Sequence, residues 1–472
     1  MRMLKSSPFE IIFVAFVALL GLSMVALARR KDDKRVQLYL KLTAGLSVAL
    51  YVALQIGNTG TWRSTPALIV LLACLLCLNF IGKPGAARAM RIAGAACMTI
   101  VALNAAILLA LPLRNLAPPG GPYAVASSAF MVEDGSRSGV YLDPPGQNRR
   151  FMVQAFYPAA AGAEAYPRLA WIEAEGLRSA FASFAGLPAF TMSHLGRIQA
   201  NAREGAPAAE GRFPVLIFSH GWTGSKIMHY DLAEELASRG IVTLLTDHPY
   251  GGLFVGFPDG SDSPWYGDAL PERAKDTGFL DAARYLVGSY ASDITALVEL
   301  LRTGALPSPL AGHIDASSVA LGGHSTGGGA AVLAAMKNPG ISGLVALDAW
   351  VEPLGAEVDT GLRLPQLHIG SAQWKGGLNE PWLARLEAAS GLWASYRLNA
   401  STHVDFAMIR YITKAARLIG WAGSLSEQRY AELCTEAAAD WLEALFAGEA
   451  DAFERLPLGD EAIFDLRRGV RR

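Results

Sequence analysis

Four long apolar runs open the chain, at residues 11–28, 36–56, 66–81 and 92–113, with short polar loops between them. Each comes close to the roughly 17–25 residues that carry a helix across a bilayer, the third being the shortest. They predict an all-α membrane domain of about four transmembrane helices over residues 1–114. From residue 115 the pattern changes to short β-type runs alternating with amphipathic stretches. Residues 151–157 alternate as a half-buried strand does. Residues 214–219 are a continuous apolar run suited to burial on both faces, and 241–246, 318–322, 344–347, 364–369 and 396–398 read as further strands. Helical spacing covers 231–239, 284–302, 328–336, 406–418 and 426–446. Such alternation predicts an α/β domain over residues 115–472, a mainly parallel sheet with helices on both faces. An apolar excursion at 162–211 carries Leu169, Trp171, Leu177, Phe181, Phe184, Phe190, Met192 and Leu195. It reads either as a cap over a site or as extra core.

Composition sharpens this division. Of 472 residues, 52% are hydrophobic and 18% charged, and the apolar excess sits in the first quarter of the chain. A net charge of −1 removes the basic balance that nucleic-acid binding needs. Basic residues concentrate in the first loop (Arg29, Arg30, Lys31, Lys34, Arg35) and the third (Lys83, Arg88, Arg91). The N-terminus has only Arg2 and Lys5, and the second loop only Arg63. Basic loops stay cytoplasmic, so a multi-pass chain with four crossings places both termini and the large domain outside the cytoplasm. The runs carry almost no ionisable groups, which favours an anchor over a solute path, with Asn104 and Thr99 expected as interhelical hydrogen bonds. The four cysteines form neither a disulfide framework nor a zinc pattern. No metal or organic cofactor is expected.

The chemistry centres on the pentapeptide Gly323-His324-Ser325-Thr326-Gly327, which follows a β-type run and precedes an Ala-rich helical run. A serine between strand and helix sits on a tight turn, and the flanking glycines let the backbone make it. Its hydroxyl then stands above the sheet edge at the positive end of the next helix. Active-site groups of open α/β sheets gather at the carboxyl ends of strands. Asp348 ends the 344–347 strand, and His403 follows the 396–398 strand. The order Ser, Asp, His suits a nucleophile, an orienting acid and a general base. Asp247, Asp293 and Asp405 remain alternatives to Asp348. Of the eight histidines, His324 is expected to point away from the serine's partner, and His220 and His248 to bond loop backbone. Two N–H donors are needed for the oxyanion; Thr326 at the helix start and Trp222 in the Ser219-His220-Gly221-Trp222-Thr223-Gly224 loop fit.

Three segments carry a family resemblance. Phe218-Ser-His-Gly-Trp222, Gly322-Gly-His-Ser-Thr-Gly-Gly328 and above all Leu347-Asp-Ala-Trp-Val-Glu-Pro-Leu354 resemble the plasma-type and intracellular isoform II platelet-activating factor acetylhydrolases. Gly121-Pro-Tyr-Ala-Val125 is similar to the start of that family's catalytic unit. The resemblance spans about 120–446 and none of the apolar runs. It implies an α/β-hydrolase fold and a calcium-independent serine esterase acting on phospholipids with short or oxidised sn-2 acyl chains. By match, Ser325 is the nucleophile, Asp348 the acid, His403 the base, and Trp222 and Thr326 the oxyanion donors. Thr326 departs from the family's Phe at that place, and the four-helix anchor is foreign to the animal enzymes. The Gly-Gly-Gly-Ala run after Thr326 resembles polyester and cutinase-like hydrolases. A general carboxylesterase or polyester hydrolase, and a non-catalytic binding domain, are the competing expectations.

Overall fold

The computed structural model describes residues 8–56, 60–81 and 83–470. Arg2 and Lys5, used in the orientation argument, lie outside them. The chain divides into two units by packing. One holds the chain up to Asn115 with Ala182–Ile198 and Tyr411–Ala415; the other holds Leu116–Phe181, Gln199–Arg410 and everything from Ala416.

The first unit is built on helices α1 (Pro8–Leu27), α2 (Lys34–Ile56), α3 (Thr65–Leu78) and α4 (Ala86–Ala110). Three of them are long and apolar enough to cross a membrane; α3 is shorter, at about 21 Å of rise. Small residues let α1 and α4 approach: a Cβ on Gly94 would lie 2.6 Å from the Gly21 carbonyl oxygen. The outer surface is apolar, with Leu42, Leu76 and Leu109 all more than 60% exposed.

Helix α1 begins three residues before the apolar run, and this brings in Glu10, which is fully buried against a fully buried Arg63. Thr61 donates to Glu10 Oε1 from its N–H at 2.9 Å and its hydroxyl at 2.7 Å, while Arg63 Nε donates to Thr61 Oγ1 at 2.9 Å. Asn104 does link helices, taking Ala67 N–H and giving Nδ2–H to the Arg63 carbonyl. Thr99 does not: its hydroxyl bonds the Ala95 carbonyl of its own helix. Arg63→Met is expected to strand the Glu10 carboxylate and cost about 3–5 kcal/mol, seen as a lower thermal midpoint in detergent. Adding Glu10→Gln should recover most of that loss, and no recovery would contradict the pairing.

From the insert, Ala182–Ile198 belongs to this unit, where Trp62 meets the Phe190 ring edge-on at 5.4 Å. Leu169, Trp171, Leu177 and Phe181 are buried within the other unit, whereas Phe184 and Phe190 are half exposed. The insert therefore contributes both core and exposed apolar surface.

The second unit is an α/β-hydrolase fold. Its strands are β1 (Val125–Ser138), β2 (Asn148–Pro158), β3 (Arg168–Ala170), β4 (Gln199–Glu204), β5 (Phe213–Ser219), β6 (Val242–Asp247), the hairpin β7 (Phe254–Gly256) and β8 (Asp262–Pro264), β9 (Ile314–His324), β10 (Gly343–Leu347), β11 (Pro365–Ser371), β12 (Leu392–Leu398) and β13 (Ile463–Val470). Apart from the hairpin they form one sheet, ordered β13-β12-β11-β10-β9-β5-β6-β2-β1-β4-β3. Strands β6, β5, β9, β10, β11 and β12 are mutually parallel, and among them β5 and β10 are apolar almost throughout, as burial on both faces demands. Antiparallel strands β2 and β13 flank them. Register aligns the carboxyl ends: His324 lies beside Leu347, and Leu347 beside Ile369. The residues that follow leave one sheet edge side by side. Helices α5 (Glu175–Phe184), α6 (Tyr230–Ser238), α7 (Phe279–Thr303) and α8 (Thr326–Lys337) come next in chain order; α7 and α8 pack together in the main apolar core. The expected helix at 406–418 is instead three short turns, because Met408 adopts a left-handed φ of 52° that ends helical geometry.

Candidate active site

Ser325 occupies the turn between β9 and α8 with φ 57° and ψ −121°, a conformation L-residues rarely hold. The surrounding glycines explain how the turn closes. A side chain on Gly327 would run into the Ser219 carbonyl, and one on Gly323 into the Gly327 backbone. Two hydrogen bonds fix the turn to the next strand exit: Ser325 N–H donates to Leu347 O at 3.0 Å and Trp350 N–H to Ser325 O at 2.8 Å.

That strand exit carries Asp348, also at positive φ (42°) and almost buried. Its Oδ1 accepts the Ser371 N–H at 2.8 Å, and its Oδ2 accepts Nδ1–H of His403 at 3.0 Å. The other acids weighed are engaged elsewhere. Asp405 caps its own turn through Thr402 N–H and holds Arg410; Asp247 accepts the Lys226 N–H; Asp293 bonds His248.

His403 is held on several sides. Trp374 stacks on its ring at 4.0 Å and 5°, and Gln373 Oε1 takes its N–H at 2.8 Å. His324 does not point away, as expected from its place in the turn. Its ring lies 4.5 Å from that of His403, and its Nε2–H donates to the His403 carbonyl at 3.1 Å. Burial, with His403 and His229 nearby, lowers the His324 pKa well below the ordinary histidine range, so it donates as a neutral ring. The neighbour of Ser325 is thus bonded to His403. The Ser325 hydroxyl itself is not hydrogen-bonded to the imidazole; such contacts are commonly long without substrate. The ring keeps 19% side-chain exposure, open to a reactant. Gln373, Trp374 and Ser371 escaped the sequence reading; their one signal was a position at or just past the carboxyl end of β11.

The loop after β5 reaches the same place. A Cβ on Gly221 would lie 2.9 Å from the Ser325 Cβ, so only glycine lets the chain pass this close. The Trp222 N–H makes no hydrogen bond among the described residues, and Thr326 N–H opens α8, where no intrahelical acceptor exists. The Thr326 hydroxyl is buried and has no hydrogen-bond partner among the described residues. Among the described residues no group of histidine, cysteine and carboxylate side chains has the arrangement of a metal site.

Comparison with known proteins agrees with this architecture. The family model for platelet-activating factor acetylhydrolase, isoform II, matches residues 116–250 and 301–447, more than half of the chain. Platelet-activating factor acetylhydrolase of Cavia porcellus is 21% identical over 335 residues, 65% of this chain and 71% of that protein. The Bos taurus protein of the same name is 22% identical over 241 residues, 45% of this chain and 52% of its own length. A ferulic acid esterase structure from Streptomyces cinnamoneus shares the fold, with a TM-score of 0.59 and 21% identity over 74% of this chain and 96% of that one. The chain belongs to the platelet-activating factor acetylhydrolase isoform II family and is an ester hydrolase.

Proposed function

We propose that this chain is a membrane-anchored serine ester hydrolase with Ser325 as nucleophile, His403 as general base and Asp348 as the acid that orients it. The observation that carries the reading is His403 itself. Its Nδ1–H is on Asp348, while its backbone is bonded by the residue next to Ser325. Ser325 Oγ attacks the ester carbonyl carbon as His403 Nε2 takes its proton. The C=O pair moves onto the oxygen, where the N–H groups of Trp222 and Thr326 stabilise it. Collapse expels the alcohol, which takes the proton from the imidazolium. Water, deprotonated by His403, then cleaves the acyl-serine to carboxylate and free enzyme.

Phospholipids with short or oxidised sn-2 acyl chains, or similar lipid-like esters, are the proposed substrates. Family membership and the names of the guinea-pig and bovine relatives support this. The apolar helices at the N-terminus support anchoring, with the hydrolase unit tethered to a lipid surface. With four crossings and basic loops inside, that surface faces away from the cytoplasm.

A fluorophosphonate should label Ser325 of the detergent-purified chain. In nanodiscs, 2-acetyl phosphatidylcholine should be hydrolysed at least about tenfold faster than its 2-palmitoyl counterpart, since a short-chain site gains nothing from the extra methylenes. Labelling at another residue would remove the site assignment. Equal rates on the two lipids, or a preference for a neutral triester, would remove the substrate assignment alone.

A further inference from the structure

A second serine–histidine–carboxylate chain lies inside the α/β unit. Ser219 ends β5, His248 follows β6 and Asp293 sits on α7; all three are fully buried. The Ser219 hydroxyl donates to His248 Nε2 at 2.7 Å, and His248 Nδ1–H donates to Asp293 Oδ2 at 2.9 Å. Tyr290, one turn earlier on α7, stacks on the His248 ring at 3.7 Å. Asp293 also takes Arg149 Nη2 at 2.7 Å and Arg137 Nη2 at 2.8 Å. Burial alone would raise the Asp293 pKa, but the Arg149 charge and these hydrogen bonds hold it well below the ordinary carboxylate range. Burial lowers His248 to about 4, leaving a neutral ring with one donor and one acceptor nitrogen.

A serine with no exposure cannot meet an ester, so the use of this chain lies in what it holds. The next residues form the loop that brings Gly221 against Ser325. His220 takes the His248 N–H at 3.1 Å and gives Nδ1–H to Gly221 O at 2.7 Å. Thr223, at φ 57°, donates to Gly251 O at 2.9 Å, and Gly224 O accepts the Leu253 N–H at 3.0 Å. The loop is therefore tied at its start, middle and end to the 248–253 turn, and that turn is tied to α7 through His248 and Asp293. Among the described residues the Trp222 N–H is left unpaired between these ties.

We propose that the buried chain Ser219–His248–Asp293 positions the Trp222 oxyanion donor; Ser219 and His248 are positioning residues for ester hydrolysis. This rests on the Ser325 site proposed above. Oxyanion donors act on charge that develops in the transition state, so losing their position lowers turnover while leaving ground-state binding alone.

The test uses the full chain in detergent or nanodiscs, with active sites counted by fluorophosphonate. Ser219→Ala should lower kcat for p-nitrophenyl acetate per titrated site by about 10- to 100-fold, with KM nearly unchanged. Affinity for an aryl trifluoromethyl ketone, whose serine adduct carries an oxyanion, should weaken by a similar factor. Ser219→Cys, nearly isosteric with a weaker hydrogen-bonding group, should recover part of both, and carries the same comparison should the alanine variant not fold. Wild-type kcat per site and wild-type ketone affinity in these variants would overturn the proposal. So would a loss confined to the titrated fraction, which reports folding only. An active Ser325→Ala would instead remove the underlying site; an inactive Ser325→Ala beside an unaffected Ser219→Ala removes only the positioning role.

Discussion

Ser325→Ala is expected to lower kcat/KM for short p-nitrophenyl esters by on the order of 10⁴- to 10⁶-fold, and to abolish fluorophosphonate labelling. The proposed nucleophile has no substitute nearby, because Ser219 and Ser371, the neighbouring serines named above, are sealed in the core. Stability should respond differently. At φ 57° and ψ −121°, any residue with a Cβ carries strain of about 1–3 kcal/mol, and alanine retains it. Ser325→Gly removes that strain but adds about 0.5–1 kcal/mol of backbone entropy to be lost on folding. The glycine variant should therefore be inactive yet about 1 kcal/mol more stable, a thermal midpoint raised by about 2 °C. Assays of both variants by hydrolysis and melting separate a residue strained for chemistry from an ordinary turn residue. Retained hydrolysis in Ser325→Ala would sink the nucleophile assignment, and a less stable Ser325→Gly would contradict the strain argument.

What could be read from the sequence follows from which forces are local. The parallel centre of the sheet was legible because a strand buried on both faces must be apolar throughout, as Val215, Leu216, Ile217 and Phe218 are. The edge strands were not. Alternation over 125–138 is irregular, and β3 has three residues, whose pairing is fixed by neighbours far along the chain. The break at Met408 was invisible because methionine is a good helix former, and tertiary packing overrides that preference. Glu10 was missed for a related reason: a window of apolar residues ends at the first charge, although a distant Arg63 allows the helix to start earlier. At the site, the spacing of strand ends brought Ser325, Asp348 and His403 to one edge in advance. The supporting groups were beyond reach. The ring of His324 turns toward His403 only because the local backbone and the Phe406 packing direct it there. Likewise, nothing local marks Ser219, His248 and Asp293 as partners, since they meet only once β5, β6 and α7 are assembled.

Asp348→Asn is expected to lower kcat by about 10³- to 10⁴-fold with little change in KM. The two oxygens of Asp348 face two donors: Ser371 N–H at 2.8 Å and His403 Nδ1–H at 3.0 Å. An asparagine offers one acceptor and one donor. With its carbonyl toward Ser371, its NH₂ faces Nδ1 and can only donate, so the imidazole must shift its proton to Nε2. That tautomer cannot accept the Ser325 proton, and the stacking of Trp374 on the imidazole resists a ring flip that would present the other nitrogen. With the amide reversed, NH₂ opposes the Ser371 N–H, leaving two buried donors face to face at a cost of about 1–3 kcal/mol. The first arrangement removes the base; the second keeps a basic Nε2 but is sparsely populated and lacks the carboxylate charge that stabilises the imidazolium. Because the ester binds in the ground state without using the imidazole as base, KM should hold while fluorophosphonate labelling slows in step with kcat. Asparagine at this position retaining more than about a tenth of wild-type turnover would show that the carboxylate does not orient the base.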